Sequence, residues 1–326
     1  MSLLEVTDLA KYFPTYNQKL VRREGDPIKA VDGVTFSLDP GETLGVVGES
    51  GCGKSTAGRT ILRLLEPTGG TITFDGRDVT TIDGEDLRKL RRQAQMVFQD
   101  PYGSLNPRHP IGAIIAAPFV IQDIQPPGGV KHAVQELMER VGLTPEHYNR
   151  SPHEFSGGQR QRIGVARAIA LQPKLIVCDE PVSALDVSIQ AQVINLLEDI
   201  QAEQNLAYVF IAHDLSVVRH ISDRVLVMYL GKMMELADRE ALYERPMHPY
   251  TRALMSAVPV PEPRRTRERI LLTGDLPSPQ NPPSGCVFRT RCPIATDLCA
   301  EKVPEWREIE PHHRVACHYP KVREVV

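Results

Sequence analysis

Short apolar runs, each closed by a turn signal, recur along the first two-thirds of the chain. Leu3–Leu9 alternates apolar and polar positions and predicts a strand. Ala30–Leu38 predicts a second strand, stopped at Asp39-Pro40-Gly41-Glu42, and the polar stretch Pro14–Pro27 between them predicts a loop. Thr43–Val47 is a short apolar run followed at once by a glycine-rich segment. Thr56–Leu65 has helical spacing and stops before Pro67 and Gly69-Gly70; Thr71–Phe74 predicts a strand closed by Asp75-Gly76.

Beyond Phe98 the texture changes. Ile111–Gly142 carries helical periodicity broken by Gln125-Pro126-Pro127-Gly128-Gly129, which predicts a helical insertion. Leu175–Cys178 and Ala207–Ala212 read as buried strands, with a helix over Val187–Gln204 between them. Apolar strands alternating with helices predict an α/β fold with a largely parallel sheet covered on both faces. From Pro246 the pattern changes again, because 13 of the 27 prolines fall in residues 246–326. Proline fixes φ and removes a backbone donor, so long regular elements are not expected there. The chain therefore divides into a main domain at 1–240 and a small irregular C-terminal appendage at 241–326.

Composition adds constraints rather than chemistry. The 326 residues, 41% hydrophobic and 24% charged, suffice for an ordinary core. The net charge of −3 gives no case for a nucleic-acid partner. No apolar run reaches the roughly 18 residues that span a bilayer; the best stretch, Ile111–Ile121, contains Gly112 and Pro118. The N-terminus lacks the basic start and apolar stretch of a signal peptide. A cytosolic chain that reaches a membrane by docking onto other chains is the expectation.

The glycine-rich segment carries the first chemistry. Gly48-Glu49-Ser50-Gly51-Cys52-Gly53-Lys54-Ser55-Thr56 fits G-x-x-x-x-G-K-[ST], between a predicted strand and a predicted helix as that motif requires. Its glycines let backbone N–H groups turn toward phosphate oxygens, and the helix N-terminus adds partial positive charge. Lys54 suits the β and γ phosphates of ATP, and Ser55 suits Mg²⁺. Cys52 is either a thiol activated by the helix N-terminus or a small residue that merely fits. Asp179 and Glu180 end the apolar run Leu175–Cys178, at the strand terminus where open α/β sheets present ligand groups. Asp179 suits Mg²⁺, and Glu180 suits a general base for the attacking water.

Further motifs narrow the class. Phe155-Ser156-Gly157-Gly158-Gln159 precedes a predicted helix and offers a second anion site or an ordinary helix cap. Gln99 follows the apolar Met96–Phe98, Ser183-Ala184-Leu185-Asp186 follows Glu180, and His213 follows Ala207–Ala212. On these residues the sequence resembles the nucleotide-binding subunits of ABC transporters over about residues 3–235. The resemblance implies a RecA-like P-loop NTPase core with a helical subdomain at about 100–165. It implies that Phe13, with Tyr12 as a weaker candidate, stacks on adenine, that Gln99 touches Mg²⁺ or water, and that His213 contacts the γ-phosphate. Ser156, Gly157, Gly158 and Gln159 match the signature, with Phe155 where leucine is commoner, and Ser183–Asp186 matches the D-loop. It also implies a composite site in which two such domains sandwich two ATPs, each phosphate loop facing the other's signature.

The tail holds Cys286, Cys292, Cys299 and Cys317, spaced C-x5-C-x6-C-x17-C. Four thiolates in a proline-rich segment suggest a metal staple, and both Zn²⁺ and an iron–sulfur cluster accept four of them. Tight C-x₂₋₄-C pairs, which zinc sites favour, are absent, which leans toward a cluster. His248, His312, His313 and His318 are alternative ligands, though such residues are more often surface histidines. With this tail, Phe98-Gln99-Asp100-Pro101 and Val218–Gly231, the sequence is similar to the OppF/DppF type of ATPase subunit from oligopeptide and dipeptide importers. That resemblance implies a [4Fe–4S] cluster on the four cysteines. It also implies two membrane permease subunits, a second, homologous rather than identical ATPase subunit, and an extracytoplasmic peptide-binding protein, with this chain peripheral at the cytoplasmic face of the inner membrane. Nickel or another small solute remains an alternative cargo. A soluble ABC ATPase acting on DNA or ribosomes is a rival, disfavoured by the lone phosphate loop and the lack of a heptad run. A redox-sensing ATPase is another.

Overall fold

A computed structural model describes residues 2–17, 23–100, 103–258 and 270–320. The strands in chain order are β1 (Leu4–Asn17), β2 (Arg23–Leu38), β3 (Thr43–Val47), β4 (Gly69–Phe74), β5 (Arg77–Asp78), β6 (Ala94–Val97), β7 (Leu175–Asp179), β8 (Ala207–Ile211), β9 (Arg224–Tyr229), β10 (Lys232–Asp238), β11 (Arg307–Glu310) and β12 (His313–Val315). The helices are α1 (Lys54–Ile61), α2 (Gly84–Gln93), α3 (Ile111–Gln122), α4 (Val130–Arg140), α5 (Gly157–Ile169), α6 (Val187–Gln204), α7 (Leu215–Ile221), α8 (Arg239–Glu244), α9 (Pro249–Ser256) and α10 (Asp297–Glu301). The chain forms two compact units, one built mainly from 81–212 and the other from 2–37, 43–80 and 213–326.

In the first unit β6, β7 and β8 run parallel, with Val97 opposite Cys178 and Cys178 opposite Phe210. β7 and β8 are buried at every position, which explains their unbroken apolar runs. The helical insertion is present as expected. α3 and α4 flank the Pro126–Gly129 break, and Gly128 and Gly129 both take positive φ. α3 is apolar almost all round; Ile111, Ile114, Ile115 and Phe119 are buried, while Val120 and Ile121 are 71% and 69% exposed. The stretch is therefore core along most of its length and apolar surface at its tip.

In the second unit β2, β1, β4 and β5 make one antiparallel sheet. β4 and β5 are joined at Asp75-Gly76, both in the left-handed region as the turn requires. β3 pairs in parallel with β9, whereas β9 with β10, β10 with β12 and β12 with β11 pair antiparallel, so the sheet expected to be largely parallel turns antiparallel on this side. The expected loop at Pro14–Pro27 is corrected. β1 runs on to Asn17 and β2 begins at Arg23, while residues 18–22 lie outside the described residues. Thr15 Oγ1 donates to Asp26 O at 2.9 Å, a polar contact between the two strands. The described residues of the tail form short elements, consistent with their prolines. One of them, β12, extends the sheet through Glu235 opposite Val315. None of the described helices is long and apolar enough to cross a membrane.

Candidate functional site

The phosphate loop follows β3 directly and leads into α1. β3 is wholly buried, so the chain emerges at a fixed point before turning. Gly48, Gly51 and Gly53 all have positive φ. At Gly53 a side chain would strike the Ala30 carbonyl, and at Gly48 the Met228 carbonyl, so close backbone approach demands glycine at both. Gly231 N donates to Cys52 O at 2.8 Å, tying the loop to the β9–β10 turn. Lys54 is 5% exposed, and its ammonium donates to Gly48 O at 2.7 Å and Glu49 O at 3.1 Å. The lysine is folded over its own loop, where a bound phosphate would compete for the same donor. Cys52 is 1% exposed, and burial raises its thiol pKa, so it is the small buried residue rather than an activated thiol.

Two aromatic candidates precede the loop in sequence. Phe13 is half-buried with the Lys11 ammonium 5.2 Å from its ring centroid. Tyr12 Oη donates to Asp32 Oδ1 at 2.6 Å, and Asp32 also pairs with Lys232 at 2.8 Å. Burial, then the Asp32 hydrogen bond, pushes the Tyr12 phenol up to about 12. Tyr12 is thus committed to a polar network, which leaves Phe13 the freer ring.

The carboxylate site lies in the first unit. Asp179 ends β7 fully buried. Glu180 follows with φ 46°, a left-handed conformation that is costly for a residue with a Cβ. Its N–H donates to Ile211 O at 2.9 Å, and its carbonyl accepts from Ser183 Oγ at 3.1 Å, so both flanks hold the strained turn. Gln99 Nε2 donates to Glu180 Oε2 at 2.8 Å. Gln99, Asp179 and Glu180 are therefore brought together at the ends of adjacent strands β6 and β7.

Ser156 caps α5. Its hydroxyl accepts from Gln159 N at 3.3 Å, and Gln159 Oε1 accepts from Ser156 N at 3.0 Å, a reciprocal capping box. A side chain at Gly158 would collide with Ile189 Cγ2 on α6, and one at Gly157 would come into ordinary contact with Leu185. The signature glycines are thus where the D-loop and α6 meet α5. Asp186 is the N-cap of α6. Phe155 is 5% exposed and meets the His147 ring edge-on at 5.9 Å, filling the place expected of leucine. His213 is exposed and directly precedes Asp214, whose carboxylate caps α7 through Ser216 N at 2.8 Å.

The cysteine tail is only partly as expected. Cys286 and Cys299 are buried, and Cys292 and Cys317 are half-buried. Burial raises the pKa of Cys286, Cys292 and Cys317, and Cys317 also feels the other three thiols. Backbone N–H groups of Phe288, Ile294 and Tyr319 reach Cys286, Cys292 and Cys317 respectively. The backbone donors suit thiolate sulfurs, whereas burial favours the neutral thiols, and a preformed metal-ion site is not found. Among the described residues no group of three or more His, Cys, Asp or Glu side chains is placed to chelate an ion. Two of the tail histidines are not surface residues. His248 and His313 are each 1% exposed, and His313 Nε2 meets Glu235 Oε1 at 2.6 Å. Glu235 also accepts from Met247 N and His248 N at 2.7 and 2.9 Å, so the buried carboxylate is a structural hub. The sequence reading missed Tyr250 and Arg291, which contact Glu49 of the phosphate loop at 2.8 and 2.7 Å. No spacing signal could have joined them to it.

A strand–phosphate loop–helix, an acidic strand end paired with a glutamine, and a glycine-tight signature helix together define an ATP-binding cassette. The ABC transporter family pattern matches residues 31–183, and the pattern for the C-terminal region of oligopeptide/dipeptide transporters matches 234–299. The oligopeptide transport ATP-binding protein AppF of Bacillus subtilis is 60% identical over 320 residues, 97% of each chain. The corresponding OppF protein of Salmonella typhimurium is 55% identical over 321 residues, 97% of this chain and 95% of that one. A solved dimeric ATP-binding cassette in a post-hydrolysis state with ADP and phosphate superposes with a TM-score of 0.64 at 26% identity, covering 72% of this chain and 98% of that one. The chain belongs to the ABC transporter family of ATPases.

Proposed function

We propose that this chain is the ATP-hydrolysing subunit that energises import of peptides, dipeptides or oligopeptides, through a membrane ABC transporter. The names carried by its near full-length relatives support the cargo class. The Gln99–Glu180 pair at the end of β7 carries the catalytic reading, because it holds a carboxylate in a strained, fixed orientation beside a buried aspartate. Glu180 is the general base that takes the proton of the attacking water. The amides from Gly48 to Thr56 and the Lys54 ammonium bind the phosphates, Phe13 stacks on adenine, and His213 contacts the γ-phosphate. Ser156–Gln159 and Asp186 serve the nucleotide of a companion subunit, so ATP favours a closed pair and hydrolysis releases it. Ser55, Gln99 and Asp179 are the residues that would hold Mg²⁺, which when bound neutralises developing phosphate charge.

The proposed partners are two permeases, a homologous second ATPase subunit and an extracytoplasmic peptide-binding protein, with this chain on the cytoplasmic face of the membrane. The exposed Val120 and Ile121 at the tip of α3 offer apolar surface to a permease. Cys286, Cys292, Cys299 and Cys317 are the proposed ligands of a [4Fe–4S] cluster, with Zn²⁺ the alternative; either would cross-link the tail. The test is anaerobic purification of the chain co-expressed with its neighbouring permeases. The reading expects permeases and a second ATPase to co-purify, with about four irons per chain for the cluster. Purification without any membrane partner would refute the importer assignment. Zinc without iron would replace the cluster, and a metal-free tail would remove both.

A further inference from the structure

Glu49, the second residue of the phosphate loop, is held by residues from the C-terminal segment. Its backbone N–H donates to Tyr250 Oη at 2.8 Å. Its carboxylate pairs with Arg291 Nη1 at 2.7 Å, and the arginine side chain is only 9% exposed. Its carbonyl accepts from Lys54 at 3.1 Å. All three polar groups of this one residue are therefore engaged, two of them by the segment that follows β10.

The mount is rigid. Tyr250 stands on α9, and its ring meets Tyr229 at 4.8 Å and Phe288 at 5.3 Å. Phe288 is fully buried and also packs edge-on against Tyr229 at 5.3 Å. Arg291 follows three residues later, its N–H donating to Phe288 O at 3.0 Å, on the turn between Cys286 and Cys292. Its guanidinium also lies 5.9 Å from the Tyr229 ring centroid and 3.5 Å from Tyr229 Oη. The arginine is thus placed by an aromatic cluster and by the cysteine turn, not by chance surface contact.

The charge logic is direct. A phosphate loop binds a polyanion, and Glu49 places a carboxylate within it. Uncompensated, that charge repels the phosphates, and the low dielectric of a partly buried site strengthens the repulsion. We propose that Arg291, with Tyr250, is a positioning residue for nucleotide binding. Arg291 cancels the Glu49 charge and both residues fix the loop backbone, so that the cysteine turn sets ATP affinity. The inference rests on the reading of Gly48–Thr56 as the nucleotide site.

The test measures binding of a non-hydrolysable ATP analogue to the full chain by calorimetry, at low and high salt. Lys54→Ala is the control for the site itself; undiminished binding there would overturn the nucleotide reading and not only this proposal. Arg291→Met is expected to weaken binding about tenfold, within the usual range of coupling between sites, and the loss is expected to shrink at high salt. Adding Glu49→Gln to Arg291→Met should recover most of the affinity, because the repelling charge is then gone. In steady-state hydrolysis the single variant raises KM with kcat within about twofold, whereas a mere folding defect lowers kcat and leaves KM unchanged. Should Arg291→Met fail to fold, Arg291→Lys keeps the charge, loses the planar fork and is expected to fall between the two. Affinity within twofold of the parent for Arg291→Met, or a double variant no better than the single, overturns the proposal.

Discussion

Glu180 sits where local backbone preference and function pull in opposite directions. Its φ of 46° costs free energy that a glycine would avoid, and its N–H, its carbonyl and its carboxylate all have partners that hold it there. Retaining a carboxylate in that conformation is intelligible if the side chain performs chemistry. Glu180→Gln keeps the size and a hydrogen-bonding oxygen but removes the base. Nucleotide-analogue binding should persist, while phosphate release should slow by a factor on the order of 10²–10⁴. Release at the parental rate would remove Glu180 from that role. Gln99 and Glu180 were both legible as motif residues, but their direct hydrogen bond was not. It depends on β6 and β7 being adjacent in the sheet, although Gln99 and Glu180 are 81 residues apart in sequence.

At the scale of elements, the signature helix and the C-terminal helix α9 each make a testable demand. α5 approaches α6 so closely that Gly158 has no room for a methyl group against Ile189. Gly158→Ala should cost about 1–3 kcal/mol in a denaturant titration, as overpacking does, and should depress ATPase activity. Trimming the obstacle with Ile189→Ala should restore part of both, and the absence of any coupling in that double-mutant cycle would contradict the close packing.

α9 begins at His248, whose Nδ1 accepts from Tyr250 N at 3.0 Å, a cap available only to the neutral ring. Burial lowers the His248 pKa to about 4 despite the pull of Glu235. An unfolded chain takes up this proton near the ordinary histidine value of about 6.5. The folded state is therefore favoured fully above that pH, loses the contribution as pH falls toward 4, and loses no more below. His248→Asn keeps a capping oxygen and removes the titration. Between pH 7 and pH 4 the parent should lose up to about 3 kcal/mol more stability than the variant. Parallel pH curves would refute the buried neutral cap.

The same scale shows what the sequence could reveal. β3, α6, and the α3 and α4 pair were legible because a full period of apolar positions is buried on a fixed face. The β1–β2 ribbon was not, because residues 14–27 are mostly polar or charged and carry no apolar alternation. β12 was hidden for a related reason. Its short run His313–Val315 becomes a strand by pairing with β10 and by burying His313 against Glu235, a contact no local pattern reports.

For the whole molecule, the central claim is that hydrolysis here moves peptides across a membrane. The parallel strands of the first unit present Asp179 and Glu180, and the second unit carries the phosphate loop together with the segment that clamps Glu49. Near full-length identity of 60% to an oligopeptide transport ATP-binding protein places the tail, and not only the cassette, among the shared features. The most direct measurement is uptake of a labelled oligopeptide into proteoliposomes. These would hold the proposed two permeases and second ATPase subunit with this chain, the proposed peptide-binding protein outside and ATP added to the face bearing the ATPases. The account predicts ATP-dependent uptake that stops with Lys54→Ala and with Glu180→Gln. Peptide uptake that persists undiminished in both variants, or ATP hydrolysis indifferent to peptide-loaded binding protein, would contradict it.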